Sequence, residues 1–310
     1  MGNSQDVLVT GGAGFIGSHL VDRLVADGRK VTVVDNLSSG LEANVNRAAA
    51  FDRVDIRSPE LRGAVARARP DTVFHVAAQI SVSVSAREPV LDADVNVMGS
   101  LNLMEAARAA GARKVVFVST GGAMYGEPER LPADETLPAR PFSPYGASKL
   151  AFENYLPVFK GLHGIGYAVV RPANVYGPRQ DPHGEAGVVA IFTRAMLEGR
   201  PCKVFGTGTD ERDYIFVEDV VDLLVRAADG SGTGPYNAGT GSGTSVNDLF
   251  ERLARLTGYR KGAEHAPSRP GDLRKISLDS GRAHRELGWR PRVAFDEGLR
   301  RTVEWFKANS

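Results

Sequence analysis

One cysteine, Cys202, among 310 residues rules out an intramolecular disulfide, so packing alone must hold the chain. A lone thiol reads as a small buried hydrophobe rather than a nucleophile. The lack of disulfides favours a cytoplasmic setting. Long apolar runs are missing as well, so neither a membrane-crossing helix nor a secretion signal is expected. The chain passes from Met1-Gly-Asn-Ser-Gln straight into a strand. Myristoylation of Gly2 is not expected either, because Asp6 stands where a hydroxyl residue is required. Neither sign of charge dominates: 38 basic residues against 37 acidic leave no electrostatic footprint for nucleic acid or an anionic membrane. The histidines (His19, His75, His163, His183, His265 and His284) are scattered without paired ligand spacing, so no metal site is expected, and His183 reads as a polar loop residue. Internal repeats and low-complexity segments are absent. The length that remains suffices for one large core or two modest domains sharing an interface.

The N-terminus carries a connected signal. Asp6-Val-Leu-Val-Thr10 reads as a buried strand, followed at once by Gly11-Gly-Ala-Gly-Phe-Ile-Gly17 and an apolar-periodic helix through Ala26. Gly11 permits the tight turn, Gly14 lets backbone N–H groups approach a pyrophosphate at the helix N-terminus, and Gly17 lets helix and strand pack closely. The next strand, Lys30-Val-Thr-Val-Val34, ends at Asp35, the spacing at which a carboxylate meets adenosine ribose hydroxyls. That carboxylate would repel a 2′-phosphate, and no arginine directly follows it in Asp35-Asn-Leu-Ser-Ser-Gly40, so NAD is favoured over NADP.

Further strands and helices alternate: Thr72-Val-Phe-His-Val76, a helix over 91–110, Lys114-Val-Val-Phe-Val118, a helix after Pro144 and Tyr167-Ala-Val-Val170. The fold class that follows is α/β, a Rossmann-type doubly wound parallel sheet with ligands beyond the carboxyl ends of its strands. Asp55-Ile56, Ala77-Ala-Gln79 and Ser119-Thr-Gly-Gly-Ala-Met-Tyr-Gly126 fall at such ends and should face one crevice. After Arg171 the rhythm changes: Pro172, Gly177, Pro178, Pro182, Gly184 and Gly187 crowd a long loop before a helix over 188–198, and a helix over 246–256 and a last one after Phe295 follow. We expect a dinucleotide domain over 1–172, with about 213–237 returning to it through a strand at 213–217. A smaller mixed α/β substrate domain is expected over 173–212 and 238–310.

Tyr145 and Lys149, in Ser143-Pro-Tyr-Gly-Ala-Ser-Lys149, stand four residues apart and so share one helix face. A fixed ammonium beside a phenol favours the phenolate, lowering its pKa toward neutrality and making Tyr145 a base for a substrate hydroxyl.

Over nearly its whole length the chain resembles the extended short-chain dehydrogenase/reductases, and among them the UDP-glucose 4-epimerases and related nucleotide-sugar epimerases. The resemblance rests on Thr10-Gly-Gly-Ala-Gly-Phe-Ile-Gly17, Asp35-Asn-Leu-Ser-Ser-Gly40, Tyr145-x-x-x-Lys149, Arg171-Pro-Ala-Asn-Val-Tyr-Gly-Pro178, Arg212-Asp-Tyr214 and Arg269-Pro-Gly-Asp272. It implies NAD-dependent inversion of C4 of a UDP-sugar, UDP-glucose or UDP-galactose, through a transient 4-keto sugar. Tyr145 would be the base, Lys149 would bind the nicotinamide ribose, and Ser119 or Thr120 would supply an assisting hydroxyl. The cofactor contacts would be Gly11, Gly14, Phe15, Ile16, Gly17, Asp35, Asn36, Ser38, Ser39, Gly40, Asp55, Ile56, Ala77, Ala78, Gln79, Asn96, Tyr145, Lys149 and Pro172. Thr120, Tyr145, Asn174, Arg179, Val189, Arg212, Arg269 and Asp272 would meet the substrate. Of these, Arg212 and Arg269 would fork onto pyrophosphate oxygens and Asp272 onto a ribose hydroxyl.

The pattern departs at Gly121, which occupies the position where many epimerases carry the catalytic Ser or Thr. Related dehydratases and decarboxylases need an acid just after this strand, and Gly121-Gly-Ala123 offers none. Ile276 stands where a tyrosine restricts some epimerases to unsubstituted hexoses, so an N-acetylated sugar is one alternative. Arg179 facing a 6-carboxylate, and hence a UDP-uronate, is another. A non-catalytic NAD sensor of the same fold is the remaining alternative, against which the pairing of Tyr145 with Lys149 speaks. The family also implies a homodimer formed through the helices at 91–110 and 144–159.

Overall fold

The computed structural model describes residues 6–183, 187–268 and 273–309. The first half alternates strand and helix: β1 (Asp6–Thr10), α1 (Phe15–Ala26), β2 (Lys30–Asp35), β3 (Ala50–Arg53), α2 (Leu61–Ala68) and β4 (Thr72–His75). It continues through α3 (Val82–Arg87), α4 (Pro89–Ala93), a wide π-helical turn over Asp94–Gly99, α5 (Ser100–Ala109), β5 (Lys114–Val118), α6 (Pro144–His163) and β6 (Gly166–Pro172). Then come β7 (Asn174–Tyr176), α7 (Val188–Leu197), β8 (Lys203–Phe205), β9 (Glu211–Arg212), β10 (Tyr214–Phe216), α8 (Val217–Asp229) and β11 (Tyr236–Ala238). The chain closes with β12 (Thr244–Ser245), α9 (Val246–Thr257), β13 (Glu264–Ala266), β14 (Lys275–Ile276), α10 (Gly281–Leu287) and α11 (Phe295–Ala308).

Seven parallel strands form the main sheet in the order β3-β2-β1-β4-β5-β6-β11, so the chain winds outward from β1 in both directions. Helices cover both faces, which is why the strands are continuously apolar rather than alternating. Val7, Val9, Val33 and Phe74 enter one core, while Leu8, Val34, Val73 and Phe117 enter the other. The first core runs on without a break into Phe192, Leu253, Trp289 and Leu299 of the C-terminal lobe. Each such large side chain contributes on the order of 2 kcal/mol by burial, so the lobe is welded to the sheet. Among the described residues no helix is long and apolar enough to cross a membrane.

Two expectations are corrected. The apolar run at 213–217 does form a strand, β10, but it pairs with β7 in a separate two-stranded sheet, and β11 is the strand that joins the main sheet. The helix over 91–110 is interrupted by the π-helical turn, in which Asn96 is buried and accepts from the Gln79 amide.

Candidate active site

The glycine turn is fixed by its neighbours. Gly11 has φ +72°, and a Cβ there would stand 2.6 Å from the Ala77 amide nitrogen; a Cβ on Gly17 would collide with the Gly11 carbonyl. Only hydrogen side chains let β1, α1 and the strand end at Ala77 meet this closely. Beyond the turn a cavity of about 620 Å³ opens at the carboxyl ends of the strands. Of the expected cofactor residues, Gly11, Gly14, Phe15, Ile16, Gly17, Asp35, Asn36, Ser38, Ser39, Gly40, Asp55, Ile56, Ala77, Ala78, Gln79, Tyr145, Lys149 and Pro172 line it. Asn96 does not. It lies behind the wall, where its Oδ1 accepts from the Gln79 amide (2.9 Å) and its Nδ2 donates to the Gln79 carbonyl (3.0 Å).

Asp35 closes the glycine-turn end, accepting from the amides of Ala13 (3.0 Å) and Leu37 (2.8 Å), which hold its carboxylate at the cavity edge. Asp55 accepts from Asn36 Nδ2 (2.8 Å) and from the Arg57 guanidinium, the latter holding its carboxyl well below the usual carboxylate range. Arg57 and Gln180 also line the cavity and were not singled out from the sequence. Arg57 carried no motif. Gln180 sits one residue past Arg179 in a segment read only as substrate territory, with its Nε2 donating to the Val175 carbonyl (2.9 Å).

Tyr145 enters α6 at its first turn. The helix starts where Ser143 caps it, its Oγ accepting from the Gly146 amide (3.1 Å), and Pro144 supplies the fixed φ of a first helical residue. One turn later Lys149 points the same way, its Nζ donating to the Val118 carbonyl (3.1 Å) and lying 5.9 Å from the Tyr145 ring centre. The lowered tyrosine pKa expected from this pairing is not what the protein matrix gives. Tyr145 keeps part of its surface open to the cavity, yet the mass of protein around it pushes the phenol up to about 12, against a hydrogen bond from Thr120 that lowers it. Burial likewise pulls the Lys149 ammonium down to about 8, with Asp92 and Glu153 opposing. Desolvation therefore outweighs the Thr120 hydroxyl at Tyr145 and the nearby carboxylates at Lys149.

The two candidate hydroxyls separate. Ser119 donates to Glu153, a carboxylate already held by Arg171 in a buried ion pair, so its proton is spent away from the cavity. Thr120 stays on the cavity wall with Tyr145 and is the hydroxyl that acts to lower its pKa. A side chain at position 121 is excluded: its Cβ would lie 2.9 Å from the Arg171 carbonyl and collide with Leu278. The departure at Gly121 is thus a packing requirement.

The substrate candidates are dispersed. Asn174 on β7 faces Gly122 beside the cavity, while Arg212 on β9 is half-buried and spends one nitrogen on the Glu211 carbonyl (3.0 Å). Val189 is buried in the first turn of α7 and does not line the cavity. Arg179, at φ +66°, turns to α1, where it pairs with Asp22 (2.6 Å) and meets His19 Nδ1 (3.1 Å), instead of facing a substrate carboxylate. Arg269 and Asp272 lie outside the described residues.

A Rossmann crevice with a glycine turn, an acidic residue at the end of β2 and a Tyr-Lys pair define an enzyme of dinucleotide-dependent oxidoreduction chemistry. The sequence profile of the NAD dependent epimerase/dehydratase family matches residues 7–239. The chain belongs to this family. It is 51% identical over 309 residues to a UDP-glucose 4-epimerase of Mycolicibacterium smegmatis, covering 98% of this chain and 99% of the relative. Among solved structures it is similar to the UDP-glucose 4-epimerase of Thermotoga maritima with UDP-glucose (TM-score 0.96, 50% identity, 98% and 99% of the two chains). It is also similar to that of Thermus thermophilus in complex with NAD (TM-score 0.92, 48% identity, 98% and 99%).

Proposed function

We propose that the protein interconverts UDP-glucose and UDP-galactose by inverting C4 of the sugar on tightly held NAD. The observation that carries this reading is Thr120, Tyr145 and Lys149 standing together on the wall of a cavity whose other end is the glycine turn and Asp35. The residues fit the cofactor: the turn brings backbone N–H groups to a helix N-terminus, and Asp35 offers carboxylate oxygens to a ribose. When bound, NAD would supply the chemistry that side chains lack, hydride acceptance and return at C4, so that no second substrate is needed. The proton belongs to the chain. Tyr145 takes it from the 4-hydroxyl as the C–O bond becomes a carbonyl, and gives it back when C4 is reduced on its opposite face. Thr120 lowers the cost of the phenolate by donating to it, and the Lys149 ammonium supplies the charge that burial otherwise denies. The UDP part would anchor the keto sugar while it turns over, with Asn174 and Arg212 as the described candidates.

Purified protein given UDP-galactose without added cofactor should form UDP-glucose; failure with every UDP-hexose would overturn the reading. Ile276, buried on β14 beside Arg212, leaves a smaller side chain than tyrosine at the gate position and favours UDP-N-acetylglucosamine as the second substrate to try. We further propose a second copy of this chain as partner. Val90, Met98, Val158 and Leu162 stand exposed on α4, the π-helical turn and α6, the helices expected to pair. Sedimentation at micromolar concentration checks this, with Leu162→Glu expected to shift the protein toward monomer.

A further inference from the structure

We propose that Asp92, sealed behind the cavity wall where α4 packs on α6, is the counter-charge that keeps Lys149 an ammonium in the working enzyme. This deepens the epimerase reading and rests on it for its consequence in turnover.

The argument starts from charge balance. Lys149 is buried, and among the described residues no carboxylate stands within ion-pair distance of it. Burial alone would strip its proton. Each charged group around it has a definite state. His75 on β4 is fully buried and held neutral, its pKa pulled down to about 3 by desolvation first and Lys149 second. Tyr145 is a phenol. Glu153, one turn along α6, is occupied by Arg171 of β6 through two guanidinium nitrogens, so its charge is largely cancelled at source. On the α3–α4 side Arg87 and Glu88 are exposed to solvent, and Asp94 pairs with Arg57 away from Lys149.

Asp92 differs from all of these. It is 1% exposed and has no cationic partner among the described residues. Its Oδ1 accepts from two neutral amides, Gln79 Nε2 (2.7 Å) and Asn96 Nδ2 (3.2 Å), and its Oδ2 has no hydrogen-bond partner. A buried carboxylate with an idle oxygen is costly unless its charge acts on something. Asn96 Nδ2 also lies 3.1 Å from Ser148 Oγ, which donates to the Tyr145 carbonyl, so the Asp92 cluster abuts the turn of α6 that carries both reacting side chains. Of the two acids that raise Lys149, Asp92 is the stronger. The same charge works against ionisation of Tyr145, so the protein accepts a harder phenol in exchange for a charged lysine.

The test reads Lys149 directly, by the 13Cε resonance of lysine-labelled holoenzyme, assigned with Lys149→Met, in the wild type, Asp92→Asn and Asp92→Glu. The asparagine keeps an oxygen for the amide contacts of Oδ1 and removes the charge, placing an NH2 where Oδ2 has no partner. Lys149 should titrate about one pH unit lower in Asp92→Asn and close to wild type in Asp92→Glu. The alkaline limb of kcat should move down by the same interval, so that the rate loss grows with pH. An unmoved Lys149 titration in Asp92→Asn, or a loss uniform across pH, would overturn the proposal and leave Asp92 a packing residue. Should Asp92→Asn not fold, the wild-type Asp92 13Cγ signal, assigned through its contacts with the Gln79 and Asn96 amides, decides: ionised at pH 7 supports the counter-charge, protonated at pH 7 overturns it. The resonance titration needs no turnover, so it stands even if the epimerase reading fails.

Discussion

Two buried carboxylates that lack an ion-pair partner among the described residues, one in each half of the molecule, are held in opposite ways. Asp213, between β9 and β10, is fully buried and every lone-pair direction is used. It accepts from the amides of Thr240 (3.0 Å), Gly241 (3.1 Å) and Leu278 (3.1 Å) and from the Thr240 hydroxyl (2.6 Å). Its backbone binds on both sides as well, to Asn174 N and Ile276 O. Asp213 is a fastener that holds β7, β9 and β14, and with them the flanking Arg212, in one place. Asp92, behind the crevice wall, accepts two amides on one oxygen and leaves the other idle. A carboxylate surrounded by donors is spent on shape. One left partly unsatisfied still has charge to act at a distance, which is the role proposed for Asp92 toward Lys149.

If the crevice serves chemistry and the lobe serves shape, substitutions should divide the same way. Tyr145→Phe should lower kcat by about a thousandfold or more, as expected for loss of the proton-transfer group, with Tm within about 2 °C of wild type; an active Tyr145→Phe enzyme would end the assignment. Asp213→Ala orphans three amides and a hydroxyl, so unfolding free energy should drop by roughly 3 kcal/mol and Tm by roughly 6–12 °C, with KM for the UDP-sugar rising as Arg212 loosens. A Tm loss under 2 °C would deny Asp213 its fastening role. Thr120→Val, which keeps volume and removes the donor, should cost about 10- to 100-fold in kcat with little change in KM, whereas Ser119→Ala should cost far less.

The smallest effect is a slope. His75 bridges Thr10 Oγ1 and Ser100 Oγ (2.8 Å each) inside the crevice wall, and burial pulls its pKa from 6.5 to about 3. Because the unfolded chain binds a proton there that the folded chain refuses, stability rises with pH between about 3 and 6.5 and is lost as pH falls through that window, by up to about 1.4 kcal/mol per unit. In His75→Gln the pH slope of urea-unfolding free energy between pH 4 and 6 should fall by about one proton. An unchanged slope would mean that His75 is not neutral in the fold.

What could be read from the residues was local. β1, its glycine turn, α1 and the acid ending β2 form one contiguous stretch whose spacing admits few alternatives, and Tyr145 and Lys149 share a face by helical period alone. The misreadings are non-local. The run at 213–217 has strand character, but its partner β7 is chosen by tertiary packing. Arg179 looked like a substrate cation until the fold set α1, and Asp22, in front of it. Asp92 carries no sequence signal of its own within the helix expected over 91–110; the packing of α4 on α6 buries it. The pKa of Tyr145 likewise escaped the sequence, because adjacency predicts the attraction of a charge but not the depth of protein around both groups.

The sequence by itself determined the strand–helix alternation, the glycine turn and the placing of Tyr145 and Lys149 on one helix face, since period and spacing act over a few residues. The tertiary structure alone decided that the Ser119 hydroxyl is turned to Glu153 and which buried acids find a donor for every oxygen and which do not, because hydrogen-bond satisfaction depends on what the rest of the chain brings alongside.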